Sequence, residues 1–566
     1  MKLVRWLGLA LGALGAGGLA ACGGSGEAPR ALVLVTLDTT RADRLGSYGY
    51  PNAGTPNLDA LAARGVRFER ALSPVPITLP AHTSLFTASY PPYHGVRDNG
   101  TFVVDPALDT LAERLQAEGL RTGAFVSALP LEARFGLDQG FDFYDQSRAA
   151  DGGHMNERRA EDTIDRALVW LGDVGDDEEF FLWVHLFDPH YPYAPPGPVM
   201  AGHDAYQGEV SYADAQLGRL FDALEGAGRL EATALVVTAD HGESLGDHGE
   251  LSHGHLLFDA TQRVPLLMAG PGVVPGRVVE RTVDLVDVAP TVCDWLGVDA
   301  PELRAQGGRS LHGLLTGGPE EALPMQPQYL ETILPRLHSG WSELYGVAEG
   351  SATYVDAPGA GRAELRVVGQ PGDQLAAEPA RSKELATTLD ALRTDLPPAV
   401  PFAAHAASDA DEELLEGLAA LGYLGIDHMA TASDAPGRDP RLVIEARSAA
   451  ERVRTHLESG ALAAAEVELA RIAAVDPDGL IHAEFRGLVA MAQTPPDLAT
   501  AAQAYDDATR LAPGRRNLWV QLAGVQRELG DSSAALLSVQ RAKALAPPSE
   551  RILALEAILL DETGAR

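Results

Sequence analysis

The sequence predicts an α/β domain with a largely parallel sheet over residues 31–297, a smaller antiparallel subdomain behind it, and an all-α array from about residue 445. Three observations carry this reading. Continuous apolar runs rich in β-branched residues, at 31–37 (ALVLVTL), 180–187 (FFLWVHLF) and 234–239 (ALVVTA), have the pattern of strands buried on both faces. Stretches with helical spacing alternate with them, as βαβ units require. Near the C-terminus, Pro477, Pro513 and Pro547 close segments spaced by 36 and 34 residues, the period of a helical repeat.

Bulk properties bound the function. A chain of 566 residues is too long for one core and divides into two or three domains. A formal charge of −35 excludes nucleic acid as the main partner, because that needs a basic footprint. A small anionic substrate stays open, since a bound metal reverses the sign locally. No lysine occurs between Lys2 and Lys383, so positive charge in a site built from that span must come from Arg, His or metal.

The elements follow in order. Residues 1–22 have the form of a signal peptide: Lys2 and Arg5, an apolar run, then Leu19-Ala20-Ala21-Cys22. That ending resembles a bacterial lipobox, which implies lipidation of Cys22, a membrane anchor and a place in the bacterial cell envelope, on the periplasmic or extracellular side. Residues 23–30 read as a tether. Cys293 is expected as a small core residue inside a helix at 288–296.

Strand 31–37 ends at Asp38, and ligands collect at the C-terminal ends of strands in open α/β sheets. A helix starts at Thr55-Pro56 and stops at Gly65. A strand is expected at 66–71, followed by Thr78-Leu79-Pro80, where a hydroxyl sits beside a helix N-terminus whose N–H groups and dipole favour an anion. Further elements are a strand at 122–126 and helices at 156–171 and 206–226. Strand 180–187 contains His185, expected as a hydrogen-bonded core histidine, and delivers Asp188 and His190 into a Pro-rich loop. Strand 234–239 runs straight into Asp240-His241-Gly242-Glu243, an oxygen and a nitrogen ligand in one turn. His241, His248, His253 and His255 fall within fifteen residues.

These residues suggest one chemistry. A divalent metal held by Asp38, Asp240 and His241 could bind the Thr78 oxygen and make it a nucleophile toward an anionic ester. His190 and His253 could stabilise or protonate the leaving group. An Asp/His donor set favours Zn or Mn over Ca or Mg.

The stretches 31–50 (ALVLVTLDTTRADRLGSYGY), 55–65 (TPNLDALAARG), 78–95, 188–193 (DPHYPY), 238–249 (TADHGESLGDHG) and 263–266 (RVPL) resemble the sulfatase family of the alkaline phosphatase superfamily, over roughly 31–373. The resemblance implies an alkaline-phosphatase-like sandwich with a small C-terminal antiparallel subdomain. It also implies Asp38, Asp240 and His241 as metal ligands, Thr78 as nucleophile, and His190 and His253 at the substrate. Three departures qualify it. Thr78 replaces the Cys or Ser that the family oxidises to formylglycine, and a secondary alcohol would give a ketone, so no formylglycine forms. His82 replaces the family's Arg, and Thr39 its paired Asp. A threonine nucleophile with Asp and His ligands resembles the phosphodiesterase and phosphotransferase branches of the superfamily, which implies phosphate or phosphonate (di)esters in preference to sulfate esters. A second zinc of the phosphatase type would need a histidine four residues after Asp214, where Gly218 stands, so the resemblance implies one metal ion. The alternatives are a sulfuric ester hydrolase without formylglycine, and an inactive scaffold that recruits partners. His338 could approach the site from the second subdomain.

The resulting division is a signal segment at 1–22, a tether at 23–30, a catalytic domain at 31–396, a linker at 397–444 carrying a short helix at 412–421, and repeats at 445–566. Phe485, Leu488, Ala501, Tyr505 and Ala508, then Trp519, Leu522, Ala535 and Ala542, fall where tetratricopeptide repeats place their packing residues. About three such repeats imply a surface for a protein or peptide partner.

Overall fold

The computed structural model describes residues 28–100, 102–147, 158–305, 307–395, 437–545, 548 and 550–564. Cys22, the segment 1–22, most of the tether and of the linker, the helix expected at 412–421 and Pro547 lie outside these residues.

The apolar runs form the centre of an eight-stranded sheet. Its order is Arg277–Val279, Val66–Phe68, Leu266–Ala269, Thr233–Ala239, Ala31–Leu37, Phe180–Leu186, Arg121–Phe125, Phe143–Asp145. The three strands read as doubly buried, Ala31–Leu37, Phe180–Leu186 and Thr233–Ala239, are buried at every position. The sheet is mixed, because Leu266–Ala269 runs antiparallel to both neighbours while the other pairings are parallel. The strand expected at 66–71 divides into Val66–Phe68 and Ala71–Leu72, and the second piece leaves to join a three-stranded sheet.

Two sets of helices cover the sheet. Pro56–Arg64, Ala160–Gly172 and Ala205–Gly226 pack together, as do Thr78–Thr87, Leu111–Ala117 and Val288–Leu296. Cys293 is a fully buried thiol in the last of these. A four-stranded antiparallel sheet, Gln328–Thr332, Leu344–Glu349, Ala352–Ala357 and Arg362–Val367, forms the small subdomain.

The C-terminal part is helical: Pro440–Glu458, Leu462–Val475, Leu480–Met491, Leu498–Leu511, Arg516–Glu528, Ser532–Leu545 and Glu550–Thr563, each packed on the next. The first helix begins inside the stretch expected as linker, and its apolar face is spent on the α/β domain. Val443, Ile444, Ala449 and Val453 share one core with Leu72, Leu256, Leu257, Leu330 and Trp341. Ser448 Oγ accepts from Leu251 N at 3.2 Å and donates to Gly249 O at 2.7 Å. Ser252 Oγ donates to Glu451 Oε1 at 3.3 Å. The helical region is therefore built onto the loop 249–257. No helix among the described residues is long and apolar enough to cross a membrane.

A shared core makes a testable prediction. Ile444→Ala should cost about 2–5 kcal/mol and lower the denaturation midpoint of the α/β domain and the helical region together, in one transition. Two transitions, of which only one moves, would show that the two regions fold independently.

Candidate active site

Register brings the first acidic groups together. Leu37 is the cross-strand partner of Ala239, so Asp38 and Asp240, each one residue past its strand, emerge side by side. His241 follows at once, and Gly242 is required there because a Cβ would meet Ala260 O at 2.1 Å. Asp38, Asp240 and His241 are at most 1% exposed. Their ligand atoms lie within 4.8 Å of one another. His241 Nε2 stands 3.5 Å from Asp240 Oδ2 and 3.9 Å from Asp38 Oδ1.

Hydrogen bonds decide which atoms face the cluster. Asp240 Oδ1 accepts from His241 N at 2.8 Å and Thr39 N at 3.3 Å. Its Oδ2 is buried with no hydrogen-bond partner. His241 Nδ1 lies 3.0 Å from Gly242 O, so the proton is on Nδ1 and the Nε2 lone pair points at both carboxylates. A buried carboxylate oxygen and an imidazole lone pair converging on one point fit a divalent cation.

Thr39 turns the chain. Its φ of 49° is the left-handed region, where a β-branched residue is strained. Its N–H holds Asp240, and its hydroxyl donates to Pro189 O beside His190. Thr78 is the first residue of the helix Thr78–Thr87 and is 2% exposed. The N-cap is Ile77, which has no capping side chain, and Thr78 Oγ1 lies 3.5 Å from His241 Nε2. The anion-binding helix end expected from the sequence is narrower than it reads. Leu79 N donates to Asn99 Oδ1 at 2.8 Å, Pro80 has no N–H, and Ala81 N is already bonded to Ile77 O.

His82 is locked as a neutral ring. Trp183 Nε1 donates to Thr36 Oγ1 at 3.0 Å, so the Thr36 hydroxyl donates on to His82 Nε2, also at 3.0 Å. That leaves a proton on Nδ1 for Thr78 O at 2.8 Å. His82 thus fixes the backbone of the Thr78 turn, and both its nitrogens are used.

His190 and His253 stand against the cluster. Ring centroids are 4.4 Å apart for His241 and His253, and 5.2 Å for His190 and His253. His190 Nδ1 donates to Tyr191 O at 2.7 Å, and His253 Nδ1 lies 3.2 Å from Glu243 Oε1. Burial pushes the His190, His241 and His253 rings down to about 3 and Asp240 and Glu243 up to about 6 and 7.

Three residues at the site went unassigned in the sequence reading. Asn99 holds Leu79 N and carries a buried Nδ2 with no hydrogen-bond partner. Glu243, inside the DHGE run, orients His253. His185, read as a core histidine, aims Nε2 at Asp38 Oδ2 from 3.6 Å. His338 stops one layer short: Nε2 is 2.8 Å from Asp98 Oδ2, and Asp98 Oδ1 accepts from Asn99 N. Asp214 is occupied at the start of Pro56–Arg64, where its carboxylate accepts from Asn57 N, Asn57 Nδ2 and Leu58 N. His248 stacks on Phe258, away from the cluster.

An acidic and imidazole donor set thus stands at strand ends, beside a hydroxyl at a helix start. The Sulfatase family model matches residues 30–298. The chain is 24% identical to the uncharacterized sulfatase YidJ of Escherichia coli (strain K12) over 346 residues, 48% of this chain and 68% of that one. Among solved structures it superposes on BT4656 in complex with its substrate D-glucosamine-2-N,6-O-disulfate (TM-score 0.56, 18% identity, 66% of this chain and 100% of that one). It superposes likewise on the phosphonate monoester hydrolase of Agrobacterium radiobacter (TM-score 0.54, 22% identity, 65% and 95%). At these identities the structural likeness is one of fold.

Glu250 gives a pH prediction for the loop that carries His253. Its carboxylate accepts from His255 N at 2.8 Å and is bonded to Ser244 Oγ at 2.9 Å. Burial raises it from 4.5 to about 8, against those hydrogen bonds. The folded chain therefore holds a proton that the unfolded chain has lost above pH 4.5. Its stabilising contribution is complete below pH 4.5 and disappears as pH rises through 8. Glu250→Gln, which mimics the protonated acid, should unfold at a similar temperature to the parent near pH 6 and at a higher one at pH 9. Equal losses between pH 6 and 9 in both proteins would contradict the assignment.

Proposed function

We propose that this chain is a metal-dependent ester hydrolase with Thr78 as its nucleophile, acting on phosphate or phosphonate (di)esters in preference to sulfate esters. The observation that carries the reading is the Thr78 hydroxyl, buried at the first position of its helix and 3.5 Å from the lone pair of His241. A threonine cannot become formylglycine, and a hydroxyl that stays intact suits in-line attack on phosphorus. The likeness in fold to a phosphonate monoester hydrolase supports the same direction.

Asp38, Asp240, His241 and the Thr78 oxygen would hold one divalent ion, Zn or Mn in preference to Ca or Mg. When bound, such an ion supplies Lewis-acid polarisation and lowers the pKa of an oxygen it touches. The chain's own residues do the rest. Thr78 Oγ1 gives up its proton and forms a bond to phosphorus as the ester P–O bond breaks on the opposite side, and the departing oxygen takes up one proton in exchange. His253, whose ring packs on His241, and His190, whose ring packs on His253, are the groups from which a departing oxygen would take a proton. An anionic substrate beside these neutral rings raises their proton affinity and makes them competent donors. Water then displaces phospho-Thr78 and restores the hydroxyl. Asn99 Nδ2 is a hydrogen-bond donor for an oxygen that gains charge.

The helical region is proposed as tetratricopeptide repeats with a surface for a protein or peptide, on its 34-residue spacing. A lipid on Cys22 would hold the chain at the bacterial envelope.

Thr78→Ala should lose turnover by roughly 10⁴-fold or more while metal content, measured by mass spectrometry of the purified protein, stays at that of the parent. Against nitrophenyl phosphodiester, phosphonate, phosphomonoester and sulfate substrates, the parent should prefer a phosphorus ester. Retained activity in Thr78→Ala removes Thr78 from the chemistry, and sulfate turnover above every phosphorus substrate reverses the choice of ester.

A further inference from the structure

We propose that His185 is a further protein ligand of the ion held by Asp38, Asp240 and His241, which makes the site a two-carboxylate, two-imidazole site selective for Zn²⁺, Mn²⁺ or Co²⁺ over Ca²⁺ and Mg²⁺. This rests on the metal reading above and adds one residue to it.

The placement follows from strand register. His185 is the cross-strand partner of Thr36, on the strand beside Ala31–Leu37, so its side chain rises next to Asp38 at the same end of the sheet. It is fully buried.

Ser127 fixes which nitrogen carries the proton. Its hydroxyl lies 2.6 Å from His185 O, a distance that requires the serine proton to be in that bond. Ser127 Oγ then faces His185 Nδ1 at 3.1 Å as an acceptor, so Nδ1 is the protonated nitrogen. Nε2 is left with a lone pair, and it has no hydrogen-bond partner. That lone pair stands 3.6 Å from Asp38 Oδ2, and His185 forms with His82 and Asp240 a second group of ligand atoms within 4.8 Å of one another, which shares Asp240 with the first.

A lone pair facing two carboxylates in a dry interior is repulsive unless a cation lies among them. The serine plays the part that outer hydrogen-bond partners play for metal-bound histidines, holding the tautomer and the ring. His82, whose ring centroid is 5.1 Å from that of His185, is excluded by the same reasoning. Its Nδ1 proton goes to Thr78 O and its Nε2 accepts from Thr36. The second imidazole also explains how a lysine-free site departs from an all-oxygen cage: it adds a nitrogen donor, which hard cations do not favour.

The test uses full-length protein stripped by chelator and reloaded with Co²⁺, read by visible absorption and by chelator competition. His185→Gln should weaken Co²⁺ binding by about 10- to 100-fold and change the position and intensity of the visible bands. Ser127→Ala should weaken it less and in the same sense, and His82→Gln should keep the parent spectrum. Circular dichroism and the metal-free melting temperature check that His185→Gln folds; where it does not, Ser127→Ala decides. Parent affinity and spectrum in both the His185 and Ser127 variants would overturn the inference while leaving the metal site standing. Failure of the parent itself to take up Co²⁺ would overturn both.

Discussion

Two carboxylates and an imidazole lone pair meet out of contact with water, and the rest of the domain follows from that constraint. Asp38 and Asp240 are fixed next to each other by the Leu37–Ala239 register, at the ends of strands with no exposed position. Removing such groups from water costs several kcal/mol per charge unless charge or hydrogen bonds compensate. Backbone N–H groups satisfy one oxygen of Asp240, and Oδ2 has none. His241 cannot supply the missing proton, because its own proton is spent on Gly242 O. A cation resolves all of this at once, and the Thr78 hydroxyl stands beside the place it would take.

The neighbourhood is adapted to doing without lysine. Where positive side chains would otherwise face the anion, this chain brings neutral rings: His82, His185, His190, His241 and His253, each held low by burial. The nearby arginines are committed elsewhere. Arg41 pairs with Asp43 and Asp247, Arg97 with Glu331, and Arg158 with Asp145. Arg447 reaches the loop from the helical region, close enough for its charge to lower His253 and His255 further. With Ser448 and Glu451 bonded to the loop 249–257, the helical region packs on the α/β domain at that loop.

Much of this was legible in the residues. Strands such as 31–37 and 234–239 announce themselves because a doubly buried strand must be apolar throughout, and Asp38, Thr78, Asp240 and His241 follow from being polar at the ends of such elements. Pairing direction was not legible: nothing in LLMA at 266–269 distinguishes a strand that runs against both neighbours from one that runs with them. Nor was the use made of each polar atom. Asn99 looks like a loop residue until Leu79 N is seen to need it. His185 is the buried, hydrogen-bonded core histidine that the sequence suggests, but the residues alone do not show that its Nε2 faces Asp38. The docking of 440–458 was hidden because its apolar face has the same spacing whether it meets another repeat or the catalytic loop.

The most direct test is anomalous diffraction at the zinc edge from crystals of the full-length protein grown with Zn²⁺. The account predicts one strong peak about 2.0–2.2 Å from oxygen and nitrogen donors, bounded by Asp38, Asp240 and His241 and next to Thr78 Oγ1. No peak there in a protein that binds zinc elsewhere, or a peak that leaves Asp240 and His241 outside ligand distance, would contradict it.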